Sequence, residues 1–583
     1  MKFTPEFSRV LHIDLETEKS EVLTIEDRHM HLGGSGLAAV LYERYGHIDA
    51  PADDPRQPLV FAIGPLTGMY PLMSKVACGF RSPYTGEWSE SHAGGRLALA
   101  LRFAGYDALM ITGKAKQLSA VIVGSREFQI KNVEFLRGKD VFATGKFLRR
   151  FGKTNSGHRS TIRIGQAGER GVSYACINVD SFRHFGRMGS GSVMGAKNLK
   201  GIVVSGDNAY DLPEGKAYPA KMKEIYEEIT QTGKMKKYHD LGTPQNILPL
   251  NELNALPWNN LQKTHGDAEG ISGETFAEQL LLRQVACSGC PVGCIHIGLL
   301  RQQFASEHEY LYKQVSYDYE PIFAQGTMLG ITSSADVLAL LDETEKLGLD
   351  CMSAGVALAW ATEAREHNIV SQDETIVDLE FGNMKGYLEG LKYISSGENA
   401  FYQALSRGAM AAAKLYGGED FACVLGQEMA GYATGEVFFV ASAYGFRHSH
   451  LDTGGYAFDQ NNTEKDAEKA VKFMLEDEVG RIYINCMMGC LFARASYGPQ
   501  QIKEALDAAG FSNLAANLDD AGKYIQRLRW KLKCKTGFDV DSVKIPKRFT
   551  EVVTWKGGID TDYMDDLAKR YGAAIKEMAA DDD

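Results

Sequence analysis

The sequence predicts an α+β protein of three domains: a β-rich one over residues 1–210, then mainly helical ones over 211–417 and 418–583. Three observations carry that reading. At 583 residues the chain exceeds what one hydrophobic core organises. Its first part is rich in glycine and short apolar runs, and from about residue 211 the apolar positions take on helical spacing.

The runs LVFAI at 59–63, ALMIT at 108–112, AVIV at 120–123 and GIVV at 201–204 are bounded by Gly, Pro or Thr and read as buried strands. Residues 216–238 are charged and helical in period, and 335–347, 353–367 and 397–416 have amphipathic helical spacing. The segment ADVLALL at 335–341 follows Ser334, which suits an N-cap. Helical spacing returns at 463–480 and 514–534.

Composition is ordinary for a globular protein, with 44% hydrophobic and 24% charged residues. A formal charge of −12 argues against nucleic acid as the main partner, since phosphate binding needs a basic surface. The N-terminus lacks a basic start followed by an apolar run, there is no twin-arginine signal, and no stretch approaches the roughly 18–20 apolar residues of a membrane helix. Most of the ten cysteines are isolated, which suits a reducing compartment; the expectation is a cytoplasmic protein without membrane attachment.

The sharpest local feature is CSGCPVGC at 287–294. Its spacing lets the thiolates of Cys287, Cys290 and Cys294 converge on one small inorganic centre, with small residues easing the backbone path. An iron–sulfur cubane needs a fourth ligand from elsewhere; a zinc site would too, and His296 is close in sequence. Spacing alone leaves both open. Glycine-rich polar stretches at 62–68, 81–86, 91–96 and 183–200 match neither the dinucleotide fingerprint nor the Walker loop. Any one of them could be a tight turn, but together, with Arg and Lys interspersed, they favour a phosphate-bearing cofactor.

In number and order these pieces make the chain resemble the aldehyde:ferredoxin oxidoreductase family of tungsten enzymes. The matching segments are GGSGLAA at 33–39, AIGPLTG at 62–68, the run from Arg81 to Ala115, GRMGSGSVMGAKNLKGI at 186–202, CSGCPVGC at 287–294, YEPIFAQGTMLGI at 319–331 and GLDCMSAG at 348–355. The resemblance implies a β-rich base holding two pterins under two helical domains. Tungsten or molybdenum would be bound by a bis-molybdopterin, a Mg2+ ion would link the pterin phosphates, and a [4Fe-4S] cluster would sit on Cys287, Cys290, Cys294 and a distant cysteine. That fourth ligand is Cys490 by position, with Cys486 its rival.

Carried over by position, the cofactor contacts fall on Lys75, His92, Ala93, Gly94, Gly95, Arg183, Phe185, Gly186, Arg187, Glu345, Gly348, Leu349, Asp350, Asn485 and Gly489. Two departures stand out. The family's Asp-x-x-Gly-Leu pterin motifs read EKLGLD at 345–350 and NCMMGC at 485–490, and His92-Ala93 replaces the usual Asn before the double glycine.

The resemblance also places an active-site carboxylate at Glu320, in the apolar setting YEPIF, where burial is expected to raise its pKa towards a general base. A helix-start carboxylate is the plainer alternative. A catalytic histidine falls within GFRHSHLD at 445–452: His448 first, His450 second, both projecting to one side if the backbone is extended. The family's Asp-Pro-Arg step is here Asp452-Thr-Gly, which suggests a distinct substrate pocket. The implied activity is oxidation of aldehydes to carboxylic acids, with electrons passing to ferredoxin or a small ferredoxin-like iron–sulfur subunit, in a homo- or hetero-oligomer. The rivals are a reductive pterin subunit acting on an aromatic acyl thioester or carboxylate, and a non-catalytic iron–sulfur subunit.

Overall fold

The short apolar strands near the N-terminus bury both faces because their alternate residues face two different cores. β1 (Ser8–Asp14), β2 (Lys19–Ile25), β3 (Leu59–Ala62), β4 (Val76–Arg81), β5 (Trp88–Ala93) and β6 (Ala108–Thr112) form a mixed sheet in the order β2-β1-β6-β3-β4-β5. On β6, Leu109 and Ile111 face a core shared with a second sheet, while Ala108 and Met110 face the core of the helical part. The second sheet comprises β7 (Ser119–Val123), β8 (Phe128–Asn132), β9 (His158–Arg163), β10 (Ile177–Val179), β11 (Arg183–Phe185) and β12 (Leu199–Gly206), in the order β11-β10-β9-β12-β7-β8. This computed structural model describes residues 4–152, 158–209 and 211–580.

The remainder is mainly helical, so the α+β class with its β-rich first part is what the chain adopts. α1 (Gly34–Tyr45) packs on the first sheet; α2 (Tyr319–Gln325), α3 (Ser334–Leu347), α4 (Cys351–Glu366), α5 (Ala467–Met487) and α6 (Leu518–Lys535) build the rest around the site. α3 is capped by Ser333, whose hydroxyl accepts from Asp336 N–H, one residue before the cap expected from sequence. The helix expected over 397–416 is two, Ala400–Leu405 and Ala409–Tyr416, because Gly408 at φ 114° breaks it.

The middle part, expected to be mainly helical, also holds strands. β13 (Leu281–Val285), β14 (Ile295–Ala305) and β15 (Glu309–Tyr317) form an antiparallel sheet, and the cysteine run is the β13–β14 connection. Among the described residues no helix is long and apolar enough to cross a membrane.

A buried ionic seam joins α6 to the first sheet. The fully buried Lys533 ammonium lies 2.7 Å from Glu87 and donates to Phe446 O at 2.9 Å, and one helical turn earlier Arg529 meets Glu90 at 2.9 Å. Burial would raise the Glu87 pKa, but Lys533 overrides it and holds the carboxyl at about 2. Lys533→Met leaves Glu87 buried without its main cation. It is expected to destabilise the protein by about 3–5 kcal/mol, read as a lower midpoint of urea or thermal unfolding; an unchanged midpoint would show that the pair does not hold the seam.

Candidate active site and cofactor cradle

A cavity of about 380 Å³ opens where the two N-terminal sheets, the three-stranded sheet and the helices meet. All four candidate cluster ligands line it. Cys287, Cys290 and Cys294 enter on a loop that Gly289 and Gly293 tighten at φ 70° and 66°. Cys490 arrives from the end of α5, where Met488 at φ 57° turns the chain and Cys490 N–H bonds Leu72 O at 3.0 Å. Cys486 is still inside α5, fully buried in an apolar cluster, and does not reach the cavity. The structure therefore brings Cys490, not Cys486, to the other three thiols.

Burial pushes the Cys290 thiol up to about 11 and that of Cys294 to about 12, so a bound metal would have to displace their protons. Among the described residues no three His, Cys, Asp or Glu side chains converge closely enough for a single metal ion. Lys75 is pulled down by burial, but the Cys490 and Cys287 thiols hold its ammonium above the usual lysine range. Gly94 permits this crowding: a Cβ there would meet Cys287 Sγ at 2.5 Å.

Of the expected cofactor contacts, Lys75, His92, Gly94, Arg183, Gly186 and Arg187 line the cavity from the N-terminal side. Glu345, Leu349 and Asp350 line it from the α3–α4 junction, and Asn485 and Gly489 from the end of α5. Four others do not line it. Ala93 and Phe185 point into the sheet core, Gly95 packs beside Asp180, and Gly348 ends α3 at φ 76° against Gly165. The cradle has the donors and space a polar, phosphate-bearing cofactor needs. Asn485 Oδ1 and Arg187 Nη1 are buried without a hydrogen-bond partner, and a Cβ on Gly186 would meet nothing within 4 Å. Asp350 is already engaged, capping α4 through Met352 N–H (3.2 Å) and Ser353 N–H (3.1 Å) while accepting from Arg187 Nε at 3.3 Å.

Glu320 sits in the first turn of α2, and its Oε1 accepts from Tyr432 OH at 2.9 Å and from His450 Nε2 at 3.0 Å. The expected rise in its pKa does not occur. Burial pushes it up, but His450 and Tyr432 outweigh burial and leave the carboxyl below its ordinary range. The raised carboxyl is Asp318, which also lines the cavity and accepts from the Thr243 hydroxyl; burial first, then the Glu320 charge, push it up to about 7.

The two histidines part company. The chain over 445–452 turns rather than extends, and His448 adopts φ 52°. Its Nδ1–H bonds the carbonyls of Ser442 and Ala443, both at 3.1 Å, and its Nε2 accepts from Lys533 at 2.9 Å, so the ring belongs to the seam. His450 lines the cavity instead, with Nδ1 buried and unbonded. Asp452 ties the turn together by accepting from Arg447 N–H and Nε, both at 2.7 Å, which holds Arg447 at the cavity wall. Sequence reasoning missed Asp318, Tyr432 and Arg447. Only Asp318 had a local signal, as a second carboxylate two residues before Glu320.

Two family models match this chain: one described as the N-terminal domain of aldehyde ferredoxin oxidoreductase over residues 10–206, the other as its domains 2 and 3 over residues 220–577. The tungsten-containing aldehyde ferredoxin oxidoreductase of Pyrococcus horikoshii is 27% identical over 576 residues, covering 94% of this chain and 91% of its own. A Pyrococcus furiosus protein described as an aliphatic sulfonate oxidoreductase, WOR-like subunit, is 28% identical over 412 residues, covering 66% of this chain and 64% of its own. The solved active-site complex BamBC of benzoyl coenzyme A reductase with 1,5-dienoyl-CoA contains a chain that superposes with a TM-score of 0.81 at 19% identity, covering 98% of this chain and 94% of that one. That likeness concerns the fold.

Cys490→Ser is expected to cost anaerobically purified protein most of its iron, whereas Cys486→Ser keeps it. Iron analysis of the two variants checks the assignment, and the reverse pattern would make Cys486 the ligand.

Proposed function

This chain belongs to the aldehyde ferredoxin oxidoreductase family, and from that premise we propose that it oxidises aldehydes to carboxylic acids at a tungsten- or molybdenum-pterin centre seated in the cavity. Electrons leave through a [4Fe-4S] cluster to ferredoxin or a small ferredoxin-like subunit in the cytoplasm. The observation that carries the reading is the Glu320–His450 pair opening on the same cavity as four cysteines.

Cys287, Cys290, Cys294 and Cys490 would hold the cluster. Lys75, Arg183 and Arg187 would neutralise pterin phosphates, and Asn485 and Glu345 would offer acceptors to the ring edges. When bound, the metal centre supplies a Lewis acid and a two-electron sink.

The chain's own residues handle the protons. An aldehyde and water give a carboxylate, three protons and two electrons. Glu320, kept ionised by its neighbours, takes a proton from the water that adds to the carbonyl carbon. Both of its protein hydrogen bonds fall on Oε1, which leaves Oε2 to face that water. With Nε2 engaged by Glu320, His450 presents its unbonded Nδ1 as the ring's other polar atom to the substrate oxygen. Tyr432 fixes the carboxylate, and Asp318 can carry a proton near neutral pH.

A second reading, reduction of an aromatic acyl thioester, takes its support from the likeness to a benzoyl coenzyme A reductase component. A non-catalytic iron–sulfur subunit would leave Glu320, His450 and Tyr432 without a use.

Glu320→Gln is expected to keep iron, tungsten and pterin while aldehyde oxidation with viologen falls about 10²–10⁴-fold; near-full turnover in a metal-replete variant would remove its acid–base role. Because His450 is what lowers the Glu320 pKa, His450→Gln is expected to move the acid limb of kcat/KM to higher pH. An unmoved limb would assign that limb to another group.

A further inference from the structure

The cysteine loop reaches the surface, and the sheet that carries it leaves one face uncovered. Ser288 N–H bonds Gly95 O at 3.0 Å and His239 Nδ1 donates to Val292 O at 2.7 Å, which ties the loop to the body. Ala286, Gly289 and Pro291 of the same loop stay exposed.

β14 and β15 turn their other face inward. A Cβ on Gly298 would meet Leu338 at 2.8 Å, and Lys313 reaches Asp342 of α3 at 2.8 Å. Strand alternation therefore puts Arg301, Tyr310, Tyr312 and Gln314 on the solvent side. Arg283 of β13 joins them by donating to Gln314 Oε1 at 2.8 Å. Tyr312 stands opposite Arg301 in the register and is 60% exposed, and the Arg301 guanidinium lies 3.7 Å from the Tyr310 ring centroid. At the hairpin end Phe304 and Leu311 are 58% and 50% exposed. Aromatic side chains and arginine are what interfaces concentrate, and large apolar groups left this open on one element mark a contact surface.

Charge says what kind of partner fits. Among the described residues neither Arg283 nor Arg301 meets a carboxylate, and the hairpin's own carboxylates, Glu307 and Glu309, lie at its turn. On a chain of net charge −12 this is a cationic face on an acidic molecule, so an acidic protein gains most by landing there.

We propose that the solvent face of β13–β15 docks a small acidic iron–sulfur protein beside the cysteine loop. Arg283 and Arg301 meet its carboxylates and Tyr312 supplies the aromatic anchor. Arg283 stands four residues before Cys287, so the docked partner lies against the loop. Each electron released by the aldehyde leaves through the loop's cluster and reduces one oxidised cluster of the partner. That transfer rests on the aldehyde-oxidation reading; the docking does not.

Calorimetry of the anaerobic holoenzyme with an acidic bacterial-type ferredoxin tests the docking without turnover. Affinity is expected to fall about tenfold between about 50 and 500 mM salt. Arg283→Glu with Arg301→Glu should weaken binding by about tenfold or more and remove most of the salt dependence, and Tyr312→Ala should weaken it about tenfold. Aldehyde oxidation coupled to viologen should be unchanged in these variants, while the KM for ferredoxin rises. A double variant that binds ferredoxin as the wild type does would overturn the surface. So would a double variant that loses viologen turnover as well, because the damage would then lie in the fold, or one whose only change is a smaller oligomer, because the face would then join copies of this chain. If ferredoxin binds this face and no aldehyde reduces it, the oxidation reading fails and the docking surface stands.

Discussion

The contact between Lys533 and Glu87 fixes the geometry on which the site depends. Glu87 immediately precedes β5, the strand that delivers His92 to the cavity wall. From the other side Lys533 holds Phe446 O and the His448 ring, so the turn carrying Arg447 and His450 hangs from the same ammonium. Arg529, four residues earlier on α6, repeats the arrangement with Glu90. Desolvating such pairs costs several kcal/mol per ion, and an apolar seam could be as stable. What the charges add is direction: each cation has defined oxygens to meet, and Lys533 a ring nitrogen as well, which sets the register between the C-terminal helices and the first sheet.

Within that frame two carboxylates, two residues apart, are driven to opposite protonation states. Glu320 keeps its charge because His450 and Tyr432 bond the ionised form. Among the described residues Asp318 forms no ion pair; burial and the neighbouring Glu320 charge favour its neutral form near pH 7. A reaction that takes up water and releases protons can use both, one group to accept and one to hold. Lys75 and Arg183 line the same cavity as these acids and the cysteines, and their charges lower the Asp318 pKa against burial.

Much of this was legible in the chain itself. The strand runs at 108–112 and 120–123 fall within β6 and β7, because short apolar runs bounded by breakers have few other solutions. The cysteine spacing pointed to one inorganic centre and left its metal open, since the candidate fourth ligand lies almost two hundred residues on. Which of Cys486 and Cys490 faces the cavity depends on the end of α5, where a left-handed Met488 turns the chain and no propensity announces it. His448 and His450 were expected to project together from an extended segment; Asp452 gathers it into a turn instead, and His450 alone of the two lines the cavity. The fall in the Glu320 pKa was hidden for a similar reason. Its partners come from residues more than a hundred positions away, and local sequence reports burial but not pairing.

Joining a pterin metal to an iron–sulfur exit in one cavity is the central claim, and one measurement reaches it most directly. Anaerobically purified protein would be analysed for metals and its EPR spectrum recorded before and after an aldehyde is added. Iron in about fourfold excess over tungsten or molybdenum, with a reduced-cluster signal that grows on adding aldehyde, is the expected result. Zinc in place of iron, or a cluster that dithionite reduces and no aldehyde does, would contradict it.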